Sequence, residues 1–179
     1  LLAALEAGEA IKDFKRRHPT AEGKLRIGLE AGTVYVGHAG GGGRFVYSIV
    51  GDSANTASRV EGLNKHVGTQ ILATGDVVEG FDDLLTCYLG AFQFVGKTEG
   101  IPIYEVVAQR AQATAEQVAL CDRVAAAVAD YESGDCPSAA TKLEQVTADF
   151  PDYGPAEFLL KHCRRVMESP DGGEASGVI

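Results

Sequence analysis

Asn55 and Arg59 stand four residues apart in a segment with helical spacing, Ser53-Ala54-Asn55-Thr56-Ala57-Ser58-Arg59. Side chains at i and i+4 project side by side from one helix face. An amide beside a guanidinium makes a clamp for a sugar and a phosphate, because the planar guanidinium holds phosphate oxygens in pairs. Spacing alone also describes a solvated helix face. Gly96-Lys97-Thr98 has the wording of the end of a phosphate-binding loop. The full pattern needs glycine where Ala91 stands, and a strand rather than a helix follows. What remains is one lysine on a tight turn. The glycine run within residues 37–44 leads into Arg44-Phe45-Val46-Tyr47, which is strand-like, so it reads as a flexible hairpin tip. His18, His38, His66 and His162 have no metal-ligand partner three or four residues away and read as surface residues.

The elements that must position these groups follow from the changing period. Leu1, Leu5, Gly8, Ile11 and Phe14 recur at helical spacing, with Lys15, Arg16 and Arg17 at the end and His18-Pro19 as the stop. From Lys24 the period is two, with Leu25, Ile27 and Leu29 on one face. Residues 33–36 and 45–50 read as strands, and residues 37–44 between them as a loop. Asp52 is a candidate N-cap for a helix over 53–64 that ends near Gly68. Residues 70–74 form a strand, and 76–85 are ambiguous. Residues 87–95 and 101–108 are strands joined by a five-residue turn at 96–100.

Composition shifts after Ala108. Three helical stripes follow: Val118, Cys121, Val124, Val128 and Tyr131; then Ala139, Leu143, Val146 and Phe150; then Leu159, Cys163 and Val166. The spacing of Tyr131, Gly134-Asp135, Ala139-Ala140, Leu143 and Pro151 resembles a tetratricopeptide-type helix pair, and an ordinary three-helix appendage fits it equally well. The fold class is α+β, with an antiparallel-rich sheet and an all-α C-terminal appendage. The divisions are 1–108, 109–168, and a Gly-rich tail over 169–179 that is expected to be mobile.

The chain has 179 residues and a formal net charge of −9. That argues against broad binding to nucleic acid or an anionic membrane, and leaves room for a small basic pocket for one nucleotide. No apolar run reaches the ~20 residues a membrane span needs. Cys87, Cys121, Cys136 and Cys163 are widely spaced, which fits packed thiols in a reducing compartment. The chain begins Leu1-Leu2-Ala3 inside a helical pattern, and reads as a piece of something longer.

Several stretches together resemble the class III nucleotidyl cyclase catalytic domain, in that family's order and approximate spacing. They are Arg26-Ile27-Gly28-Leu29-Glu30-Ala31-Gly32, Val36-Gly37-His38-Ala39-Gly40, the run from Tyr47 through Gly51-Asp52 to Arg59, Val95-Gly96-Lys97, and Ile103-Tyr104-Glu105-Val106. The resemblance covers the C-terminal part of that domain, over residues 1–107, and implies its ferredoxin-like architecture. It further implies closure of 3′,5′-cyclic AMP from ATP with release of pyrophosphate, with two Mg²⁺ or Mn²⁺ ions, at the interface of a homodimer or with a cyclase partner protomer.

By the same resemblance, Asn55 orients the ribose, Arg59 stabilises charge on the reacting phosphate, and Lys97 contacts the terminal phosphates. Ser48 falls at the base-selecting position with Ile49 beside it, and its hydroxyl looks more adenylyl than guanylyl. The family's metal-binding aspartates lie upstream of Leu1, so no metal ligand is assigned here. The implied location is cytoplasmic, with membrane contact only through an upstream segment. Two alternative readings are a non-catalytic homologue that dimerises and regulates, and a helical-repeat interaction protein with the α+β part as scaffold.

Overall fold

In the computed structural model of the protein, residues 1–41, 43–168 and 179 are described. Helix α1 (Leu2–Arg17) is followed by strands β1 (Ile27–Leu29), β2 (Tyr35–Gly41) and β3 (Arg44–Val50), and by helix α2 (Asp52–Val67). Strand β4 (Ile71–Thr74), a one-turn helix α3 (Gly75–Val78), and strands β5 (Leu84–Phe92) and β6 (Ile101–Gln109) complete the α+β part. Helices α4 (Ala115–Glu132), α5 (Cys136–Asp149) and α6 (Gly154–Glu168) form the all-α part.

The main sheet has the order β1-β4-β6-β5, with β1 parallel to β4 and the other neighbours antiparallel. Alternation along β4 explains the layers. Ile71 and Ala73 point to α1 and join Ala4, Leu84 and Val106 in one buried cluster. Leu72 points to the opposite face and joins Val60 and Val67 of α2, Cys87 and Leu89 of β5, and the inner stripes of α4, α5 and α6. The sheet is therefore covered on both faces, and the C-terminal helices share one continuous core with it.

Helix α4 begins with a capping box in which Thr114 and Gln117 satisfy each other's backbone N–H groups. The stripes read from the sequence are the buried ones: Cys121, Val124, Val128 and Tyr131 on α4, Ala139, Leu143 and Val146 on α5, and Leu159 and Cys163 on α6. All four cysteines are free and buried.

Several expectations are corrected. The segment expected as a loop over 37–44 is mostly strand, since Tyr35 through Gly41 pair residue for residue with Val50 back to Arg44. Main-chain hydrogen bonds build that ribbon, and glycines have no side chain to reveal it by alternation. The strand starting at Lys24 is shorter and begins at Ile27. Residues 75–78 are helical. The β5–β6 connection runs over 93–100 rather than 96–100. His162 is not a surface residue: it is half-buried and shares a 2.9 Å hydrogen bond with the Tyr131 hydroxyl. Of the tail expected to be mobile, residues 169–178 lie outside the described residues. Ile179 is held on β5 by hydrogen bonds of its N–H to the Ala91 carbonyl (2.7 Å) and of the Gln93 N–H to its own carbonyl (3.1 Å).

Two close contacts fix the packing of α2. A methyl group on Gly28 of β1 would lie 2.2 Å from the Glu61 nitrogen and 2.3 Å from the Ala57 oxygen, so strand and helix meet backbone to backbone. Asn64 reinforces the seat by donating from Nδ2 to the Ile27 carbonyl (3.0 Å) while its Oδ1 accepts from the Thr69 hydroxyl (2.8 Å). At the C-terminus Gly68 takes a left-handed φ of 87° and its backbone meets Gly154 at the start of α6.

Where the tail meets the sheet, Glu105 of β6 accepts a 2.7 Å hydrogen bond from the Tyr153 hydroxyl, which also reaches the Cys87 sulfur at 3.3 Å. Burial pushes the Glu105 carboxyl up from its ordinary value of 4.5 to about 7, and the Tyr153 hydrogen bond offsets only part of that.

Two outcomes follow for stability. Gly28→Ala should destabilise the chain by about 3 kcal/mol, because backbone atoms cannot yield as a flexible side chain would. A urea melt with an unchanged midpoint would contradict the backbone contact. Between pH 4.5 and about 7 the folded chain holds a Glu105 proton that the unfolded chain has lost. Stability contributed by this group therefore falls as pH rises through that window. Glu105→Gln should leave stability near that of the parent at pH 5 and raise it at pH 8 by on the order of 3 kcal/mol. Melts of both proteins at the two pH values check this, and a pH-independent difference would contradict it.

Candidate functional site

Helix α2 buries Thr56, Val60, Asn64 and Val67. That stripe fixes the roll of the helix and turns Asp52, Asn55 and Arg59 outward, at spacings of three and four that keep them on one neighbouring face. The β5–β6 connection comes down onto this face. Its turn is set by Gly96 at φ 82° and by the Lys97 N–H bonding back to the Phe94 carbonyl at 2.9 Å.

Two contacts join the helix to the connection. The Arg59 guanidinium donates to the Val95 carbonyl. The Lys97 ammonium forms an ion pair with the Asp52 carboxylate. Asn55 is exposed on the same helix face, between the two contacts along the chain. The structure thus brings together Asn55, Arg59 and Lys97, although Lys97 is 38 positions beyond Arg59 in the numbering.

Ser48 and Ile49 are placed differently. They lie on β3, where Ser48 faces Gly37 and Ile49 faces Val36 across the ribbon. Ser48 is half-buried and Ile49 exposed. Neither side chain bonds to the α2 cluster among the described residues. Their link to it is the chain itself, through Gly51 into the first turn of α2.

Asp52 is the group that sequence reasoning assigned otherwise. It is the first residue of α2 and not its cap; the capping position is Gly51, which offers no side chain. The Asp52 carboxylate points instead to Lys97, with its own side chain 78% exposed and that of Lys97 25% exposed. An acid in the first helical turn satisfies the helix dipole in either role, so the sequence could not separate them. Nor could it show the Val95 carbonyl, because a backbone acceptor carries no residue signature. Such an exposed pair contributes only about 0–1 kcal/mol, so an anionic ligand can displace Asp52 from Lys97 at little cost. The arrangement can hold a polyphosphate with a neighbouring hydroxylated group: two cations converge, and a free amide sits beside them.

Among the described residues, no group of three or more His, Cys, Asp or Glu side chains could hold a metal ion. No helix among them is long and apolar enough to cross a membrane.

Known proteins share this layout of sequence. The chain is 39% identical over 107 residues to adenylate cyclase 1 of Rhizobium meliloti (strain 1021), a match covering 59% of this chain and 16% of that protein. It is 36% identical over 121 residues to an adenylate cyclase of Anabaena cylindrica, covering 60% of this chain and 24% of that protein. The chain therefore spans a quarter or less of the length of these relatives. Among solved structures, the adenylyl cyclase CyaB from P. aeruginosa aligns with a TM-score of 0.47 at 22% identity, over 61% of this chain and 56% of that one. A bacterial light-regulated adenylyl cyclase aligns with a TM-score of 0.36 at 26% identity, over 50% and 43% of the two chains. Residues 2–99, more than half of the chain, match the adenylate and guanylate cyclase catalytic domain, and the chain belongs to that family.

Proposed function

We propose that residues 1–108 are the C-terminal part of an adenylate cyclase catalytic domain, with 109–168 an appended helical region. The complete enzyme forms 3′,5′-cyclic AMP and pyrophosphate from ATP at the interface of two protomers in the cytoplasm. The observation that carries this reading is the convergence of Arg59 and Lys97 beside Asn55, on the face of α2 covered by the 93–100 connection. The name shared by the two sequence relatives supports the choice of reaction.

The chemistry suits these residues. The ribose 3′ hydroxyl gives up its proton to solvent and its oxygen attacks the α-phosphorus; a new P–O bond forms, and the bond to the leaving pyrophosphate breaks with its electron pair. Such a displacement needs positioning and charge neutralisation more than covalent catalysis. Asn55 orients the ribose. Arg59 leaves the Val95 carbonyl for the reacting phosphate, where charge accumulates. Lys97 exchanges Asp52 for the terminal phosphates. Ser48 and Ile49 contact the base, and the Ser48 hydroxyl selects adenine.

The family's two Mg²⁺ or Mn²⁺ ions do not fit the residues present. Asp52, the one acid in the cluster, is already paired with Lys97, and no other set of ligands gathers there among the described residues. We assign those ions to acidic residues of sequence outside this chain, and derive no step through them. A partner protomer is supported by the β2–β3 ribbon, whose Tyr35, Val36, Val46, Tyr47, Ile49 and Val50 are all exposed apolar or aromatic side chains.

The purified chain should form no cyclic AMP from ATP with Mg²⁺ or Mn²⁺. Mixed with a cyclase protomer that keeps its metal-binding acids but lacks its own asparagine and arginine counterparts, it should restore activity. Arg59→Ala should lower the restored turnover by on the order of 10²-fold or more with little change in KM, while circular dichroism stays the same. Equal rescue by wild type and Arg59→Ala would overturn the role given to Arg59. In the restored assembly GTP should turn over more slowly than ATP, and equal rates would remove the base-selecting role of Ser48.

A further inference from the structure

A second cationic site lies towards the opposite end of α2. Lys15 is in the last turn of α1, Lys24 and Arg26 lead into β1, and Lys65 is in the last turn of α2. Folding gathers these four around one cavity of about 260 Å³, with Asn64 and Thr69 in its wall and no acidic side chain lining it. This happens in a chain whose net charge is −9.

The other cations among the described side chains are treated differently. Lys12, Arg16, Lys97, Arg123, Lys142, Lys161 and Arg164 each have a carboxylate partner. Arg17, Arg59 and Arg110 donate to backbone carbonyls, and Arg165 reaches the His162 ring. Among the described side chains, Lys15, Lys24, Arg26 and Lys65 are the basic ones with neither an ion pair nor a hydrogen bond, and all of them line this cavity. Lys15 and Arg26 are half-buried, so they do not simply extend into solvent.

Helix dipoles favour cations at C-terminal turns, which accounts for Lys15 and Lys65 singly. It does not account for Lys24 and Arg26 at a strand entry, nor for the convergence. The Asn64 amide in the wall is already engaged with the Ile27 carbonyl and the Thr69 hydroxyl, so charge is what the cavity offers a ligand. Four like charges facing one space repel each other until a multiply charged anion enters. Arg26 supplies a planar fork suited to paired phosphate oxygens, and the lysines supply point charges around it.

We propose that this cavity binds the phosphate groups of a small, soluble, multiply phosphorylated ligand. The site is about 15 Å along the helix axis from Asn55, taking ten residues at 1.5 Å rise. It stands independently of the cyclase reading. A soluble source fits better than a lipid headgroup, because the chain's net negative charge is repelled by an anionic bilayer.

Inorganic pyrophosphate is the probe, titrated into the full chain at low ionic strength without divalent metal while backbone amide signals are followed. Saturable shifts are expected at residues 24–26 and 64–70, separable from any response at 52–59 and 93–100, with an affinity that falls with added salt. The double variant Arg26→Gln/Lys65→Gln should bind about tenfold or more weakly, while its ligand-free melting temperature is equal or higher because repulsion is relieved. Arg59→Gln should keep the binding and the shifts at 24–26 and 64–70. Absence of saturation up to millimolar pyrophosphate, unchanged affinity in the double variant, or shifts confined to 52–59 and 93–100 would each overturn the proposal. Sedimentation with vesicles containing phosphatidic acid separates the sources. No co-sedimentation is expected, and vesicle binding that depends on Arg26 and Lys65 without any response to pyrophosphate would overturn the assignment to a soluble ligand.

Discussion

The backbone-to-backbone contact between Gly28 and the Ala57–Glu61 turn determines where α2 lies, and through α2 where the candidate site lies. Any side chain at position 28 would collide with main-chain atoms of the helix. β1 is locked in parallel register to β4, with Ile27 opposite Ile71 and Leu29 opposite Ala73. Asn64 ties the far half of the helix to the same strand, and Gly68 against Gly154 fixes its end. A helix held at these points has no freedom to roll. Its outward face, with Asn55 and Arg59, is set by the packing of Val60 and Val67 rather than by any bond those two residues make.

The same seat explains how an acidic chain can present clustered cationic groups. Most of its cations are neutralised locally by carboxylates or carbonyls. Lys97 and Arg59 are held by partners that are exposed or carry only a partial charge, and under the proposed function a phosphate displaces those partners. The cluster at the other end of α2 lacks even those partners. One helix therefore carries two cationic regions about three turns apart, one closed by weak internal contacts and one open.

The long helices and the C-terminal stripes are legible in the sequence because apolar side chains at spacings of three and four survive as a pattern, while the single turn over 75–78 is too short to show one. The helix end near Gly68 is legible for a similar reason, since glycine after a periodic run marks a helix end. The β2–β3 ribbon was only half legible. Its outer part is built of Gly37, His38, Ala39, Gly40 and Gly41, which give no alternation, and the pairing is carried by main chain alone. Asn55, Arg59 and Lys97 are candidates that rest on a resemblance of ordered motifs; the spacing of Asn55 and Arg59 by itself also fits a solvated face. Asp52, the Val95 carbonyl and the Glu105–Tyr153 contact depend on where distant segments meet, and no local pattern encodes that.

Under the proposed function, Arg59 and Lys97 exchange their internal partners for phosphate oxygens when nucleotide enters beside Asn55. The most direct test follows the Arg59 Nε–H and Lys97 Nζ signals by nitrogen-15 NMR, in the chain assembled with a metal-competent partner protomer. The nucleotide is an ATP analogue that cannot be cleaved. Both signals are expected to move together on saturation, and in the Lys97→Gln variant the Arg59 signal should still move. Saturation of the assembly by the analogue with both signals unmoved would contradict that exchange.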